Sequence, residues 1–80
     1  MFKLLTNAKP EDYKAALAEI KEHAAGCRVD YFGGNQPFEN VKIGIFEILV
    51  EIESPGGMRM RHRWEDIKYL KFINGKLTLF

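Results

Sequence analysis

The sequence predicts an α+β domain: one amphipathic helix packed on a curled, mostly antiparallel sheet, in the order β-α-β-β-β-β-β. Three observations predict it. Only the stretch from Pro10 to Ala24 repeats its apolar residues at helical spacing. Most of the remaining chain alternates apolar and polar residues with the period of two of half-buried strands. Two sites, Pro55-Gly56-Gly57 and Asn74-Gly75, carry hairpin-turn chemistry between such runs.

Taken in order, the apolar run Phe2–Thr6 predicts a first strand. Pro10 suits the first helical position, because its missing N–H would be unpaired there in any case. Glu11 and Asp12 then fall at the positive end of the helix dipole. Tyr13, Ala16, Leu17, Ile20 and Ala24 form the apolar stripe, and Gly26 stands where a C-terminal cap is expected. Cys27–Phe32 predicts a second strand, and Gly33-Gly34-Asn35-Gln36-Pro37 predicts a surface loop, anchored to the core by Phe32 and Phe38.

From Val41 to Glu53 the apolar parity changes once, at Ile45-Phe46 beside Gly44. That pattern predicts one long strand bent by a β-bulge, which would let the sheet curl around the helix. The hairpin that follows can be registered from polarity. A two-residue Pro55-Gly56 loop would set Ile52 against Arg59, mixing core and charged faces along the ladder. A three-residue Pro55-Gly56-Gly57 loop sets Glu53 against Arg59, Ile52 against Met60, Glu51 against Arg61 and Val50 against His62, with Gly57 in the left-handed region. Glu65-Asp66 makes a turn, and Asn74-Gly75 joins two further strands whose core face is Leu70, Phe72, Leu77 and Leu79. The arrangement matches the architecture of a cystatin-like roll or a partly open barrel of the SH3 or Sm kind, a likeness of layout that carries no function with it.

Length and charge bound the function. Eighty residues make a single domain over 1–80. One cysteine, Cys27, allows no internal disulfide and fits a reducing compartment. The apolar run at the N-terminus is too short for a signal peptide or a membrane span, so the expected location is the cytoplasm. Net charge is +1, but six basic residues lie from Met58 onward against Glu65 and Asp66. An arginine row, Arg59, Arg61 and Arg63, alternates along one side of its strand.

Enzymatic chemistry finds little footing. His23 and Cys27 lie four apart on or near the helix, and His62 faces the core, but no paired ligand spacing for zinc occurs. A Cys–His nucleophile needs an activated thiolate in an electropositive cleft with an orienting third group; Arg28 is adjacent, but eighty residues offer little room for a cleft that excludes water. Glu51 and Glu53 face arginines, the wrong surroundings for a general acid. No catalytic residue, cofactor or metal is expected. A nucleic-acid surface would use Arg59, Arg61, Arg63, Lys68, Lys71 and Lys76 with Tyr69 as a stacking platform. Against it stand the near-neutral charge and the predicted Glu–Arg pairs, which leave Arg63 alone comparatively free. The favoured expectation is a small non-enzymatic protein-interaction module of the inhibitor or accessory-subunit type. Its binding face is the outer side of the C-terminal meander, with Leu49, Arg63, Tyr69, Lys71, Ile73 and Phe80. A homodimer would bury the same face or pair an open sheet edge.

Overall fold

The structure, a computed structural model, describes residues 1–80. A helix, α1 (Pro10–Ala24), packs with eight strands: β1 (Lys3–Thr6), β2 (Asp30–Gly33), β3 (Gln36–Phe38), β4 (Lys42–Ile45), β5 (Leu49–Glu53), β6 (Arg59–Arg63), β7 (Tyr69–Ile73) and β8 (Lys76–Leu79). They form a five-stranded sheet in the order β1-β7-β8-β2-β3 and a separate three-stranded sheet, β4-β5-β6. Every pair is antiparallel except β2 with β8. The α+β class therefore holds, with no closed barrel.

The helix begins as its sequence dictates. Pro10 opens it, and the Asp12 carboxylate accepts the N–H of Lys9 at 3.3 Å, covering a donor the helix leaves free. Tyr13, Ala16, Leu17 and Ile20 are buried against the sheets, chiefly β4 and a short 3-10 turn at Trp64–Asp66. The end differs from expectation. Ala25, in ordinary right-handed geometry, is the capping residue, and Gly26 has no positive φ. Its N–H simply donates to the His23 carbonyl at 3.1 Å.

Two turns match their predicted chemistry. In the Pro55-Gly56-Gly57 loop, Gly57 takes φ +90°, and the register sets Glu53 opposite Arg59, Ile52 opposite Met60, Glu51 opposite Arg61 and Val50 opposite His62. Asn74 and Gly75 both have positive φ, as a type I′ turn requires, and Ile73 pairs with Lys76. Leu70, Phe72, Leu77 and Leu79 are all buried.

Two segments depart from the sequence reading. The parity change at Ile45-Phe46 is a chain reversal and not a bulge: β4 and β5 are separate strands, with Ile45 opposite Val50 and Ile43 opposite Ile52. Both a bulge and a reversal invert parity, so alternation alone does not distinguish them. Phe46 and Ile48, placed on the core face by alternation, are exposed at this turn. The Gly33–Pro37 segment is likewise a hairpin and not an open loop. Gly34 and Asn35 both take positive φ and join β2 to β3, with Gly33 opposite Gln36. Pro37 is accommodated because β3 is an edge strand. Phe38 anchors this hairpin in the core as expected, whereas Phe32 points out and is exposed.

The core lies between the sheets and the helix. Tyr31, Phe38, Leu70, Phe72, Leu77 and Leu79 come from the five-stranded sheet, and Ile43, Val50 and Ile52 from the smaller one. Trp64 and Ile67, from the segment between β6 and β7, are buried in the same cluster. No helix is long and apolar enough to cross a membrane.

Candidate functional site

Residues directly opposite one another on paired strands share a sheet face. This rule assembles a surface on the five-stranded sheet, on the side away from the core. One row crosses all five strands: Leu4, Lys71, Thr78, Phe32 and Pro37. A second holds Thr6, Tyr69 and Phe80, the last two joined by reciprocal backbone bonds of 3.1 and 3.0 Å. A third holds Ile73, Lys76 and Asp30. The helix and the smaller sheet both lie on the opposite side, so nothing in the chain covers these rows.

The face is apolar for a solvent-facing sheet. Leu4, Phe32, Ile73 and Phe80 are four of the nine large apolar residues that stay exposed, and Phe2 extends the line of β1. Three aromatic rings run across adjacent strands. Phe32 meets Phe80 edge to face at 5.9 Å between centroids, and Tyr69 lies 6.4 Å from Phe80. Such pairs stabilise by about 0.5–1.5 kcal/mol beyond area burial, which holds the row as one surface.

Charge on this face is uneven. Asp30 at its margin is already occupied: Arg28 Nε donates to it at 2.9 Å and the Asn40 N–H at 3.0 Å. Those bonds, the Arg28 one first, hold the Asp30 carboxyl below the usual carboxylate range. Glu39 is likewise bonded to Arg28, at 3.1 Å. Lys71, half-buried between Leu4 and Thr78, has no ion-pair partner.

The sequence-predicted binding residues divide between the two sheets. Tyr69, Lys71, Ile73 and Phe80 are together on the open face just described. Leu49 and Arg63 are not: they pair with each other on the three-stranded sheet. The single C-terminal meander assumed from the chain order does not form, because β7 leaves β6 and pairs with β1 and β8. Arg63 lines a cleft between the start of α1 and the β4–β5 turn, with Glu11, Lys14, Glu47 and Glu65. Its guanidinium is not free as expected, since Glu65 lies 3.8 Å away, although both groups are well exposed. Phe32 and Leu4 also belong to the face, although the sequence reading does not assign them to it. The Gly-Asn turn after Phe32 was the available signal, because a hairpin there fixes its side.

The basic set also divides. Arg61 bonds Glu51 at 2.8 Å, and Arg59 lies 3.6 Å from both Glu51 and Glu53. Lys71 and Lys76 belong to the other sheet, and Lys68 precedes it, exposed, with its N–H donating to the Phe80 carbonyl at 2.7 Å. His23, Cys27 and His62 do not come together. His23 packs edge-on against Phe72, Cys27 is exposed, and His62 Nε2 is 2.5 Å from the Tyr31 hydroxyl. No cluster of three histidine, cysteine or carboxylate ligands occurs.

Comparison with protein-family models, with curated proteins and with solved structures finds no match to this chain.

Proposed function

We propose that the chain is a small, non-enzymatic protein-interaction module, of the inhibitor or accessory-subunit type, that binds a protein partner through the open face of its five-stranded sheet. One observation carries the reading: Leu4, Phe32, Ile73 and Phe80 stay exposed on a face that no element of the chain covers, with Tyr69 beside them. Aromatic and branched residues grouped in this way are the ordinary ingredients of an interface. The lone exposed cysteine fits the reducing cytoplasm as the place of action. Leu49 and Arg63 drop out of the binding surface under this reading, since they lie on the other sheet.

A nucleic-acid reading also draws on this face, where the aromatic row with Lys71 and Lys76 has the make-up of a stacking platform. It loses the arginine row, because Arg59 and Arg61 are held by Glu51 and Glu53. The test compares proteins retained by immobilised wild type, by Phe32→Ser/Phe80→Ser and by Arg63→Glu. Retention of the same protein by wild type and Arg63→Glu, with loss on Phe32→Ser/Phe80→Ser, is expected. Equal retention by all three would place the interface elsewhere.

A further inference from the structure

Resting on that reading, we propose that the partner presents an acidic, apolar segment: a carboxylate that meets Lys71, flanked by aromatic or branched aliphatic side chains that lie on Phe32, Phe80, Tyr69, Leu4 and Ile73. Charge complementarity selects this occupant. Lys71 stands within the apolar rows, beside Leu4 on β1 and Thr78 on β8. Asp30, the one carboxylate in the register of this face, lies at its margin and is bonded to Arg28, as is Glu39 just beyond β3. Covering Lys71 with a purely apolar surface would strip water from an ammonium and return no hydrogen bond or counter-charge. The partner must therefore bring the missing acceptor.

The same logic weighs against other occupants. A second copy that presented this same face would bring its own Lys71, and the carboxylate of that face, Asp30, is already held by Arg28, leaving both ammonium groups unpaired or opposed. A nucleic-acid strand would bring phosphates, but Leu4 and Ile73 offer it no ring to stack on, and Asp30 and Glu39 border the face. An acidic, apolar peptide satisfies the lysine and the apolar rows together.

The probe is a random twelve-residue peptide library displayed on phage and selected on the immobilised full chain, followed by anisotropy titration of one labelled selected peptide. Selected peptides are expected to share an Asp or Glu beside Phe, Trp or Leu. Lys71→Met should weaken the labelled peptide by roughly ten- to a hundredfold, the scale of one hydrogen bond to a charged group. Lys71→Glu should abolish binding, and a peptide with its carboxylate changed to lysine should regain affinity for Lys71→Glu alone. Unfolding in urea checks that each variant folds. Peptides selected without a carboxylate, or bound equally by Lys71→Met, would overturn the acidic partner while leaving the interaction face in place. No selected peptide, with poly(U) retained or a dimer formed in sedimentation, would overturn the face reading and this inference together.

Discussion

The Tyr31 hydroxyl lies 2.5 Å from Nε2 of His62, joining β2 of the larger sheet to β6 of the smaller one through the core. Burial raises the Tyr31 phenol to about 12, so it is neutral and able to donate. Burial also lowers the His62 imidazole, so at neutral pH it accepts. No other side-chain hydrogen bond links the buried faces of the two sheets.

The pair sets a pH dependence of stability. With its folded pKa below the ordinary value of about 6.5, His62 takes up a proton more readily in the unfolded chain. Its contribution is whole above about pH 6.5, shrinks as pH falls toward the folded pKa, and is level below both. The urea midpoint of the wild type should drop between about pH 7.5 and 5, whereas His62→Gln, which still accepts but does not titrate there, should show a flatter profile. Identical slopes would show that His62 is not the group responsible. On the alkaline side Tyr31 predicts the opposite sign: its raised pKa gives stability that is lost as pH climbs from about 10 through about 12.

Gly33 makes room for this pair. A Cβ at position 33 would stand 2.2 Å from the Tyr31 hydroxyl oxygen and 2.5 Å from the Leu79 carbonyl oxygen. The second contact is backbone, so the strands themselves must shift. Gly33→Ala should destabilise by about 1–3 kcal/mol in urea unfolding. Gly26→Ala is the control, because a Cβ there meets nothing within 4 Å and its φ is not positive. It should be neutral or stabilise by up to about 1 kcal/mol. Equal effects at both sites would remove the steric account.

The loops at Gly57 and Asn74-Gly75 were legible because each contains the residue its backbone requires, and their registers fixed nine cross-strand pairs between them. The reversal at Glu47-Ile48 contains no glycine, asparagine or positive φ. It is held from a distance: the Trp64 indole donates to the Phe46 carbonyl at 2.9 Å, and the Phe46 N–H donates to Leu49 at 2.9 Å. A turn stabilised by a residue 18 positions away leaves no local mark. The parallel pairing of β2 with β8 is non-local in the same way, and it is what carries Phe32 onto the open face next to Phe80. The aromatic row was therefore half visible, in Tyr69 and Phe80. The arginine row was read more fully, since opposing charges at set register positions suffice to pair it.

That pairing makes a prediction about polyanions. Glu51 is the shared carboxylate of the row, taking Arg61 at 2.8 Å and Arg59 at 3.6 Å with only 19% of its side chain exposed. Exposed pairs stabilise by about 0.2–1 kcal/mol each, so Glu51→Gln should cost little more than about 1 kcal/mol, and less in high salt. Its larger effect is on potential, because Arg61 loses its only carboxylate partner and Arg59 loses one of two. Glu51→Gln should elute from heparin at higher salt than the wild type. Any Glu→Gln change raises net charge by one, so Glu22→Gln, on the exposed side of α1 and without an ion pair, is the matched control. A shift confined to Glu51→Gln means the arginines are neutralised locally in the wild type. Equal shifts for both variants would mean that only total charge counts, and that the Glu–Arg ladder does not mask the row.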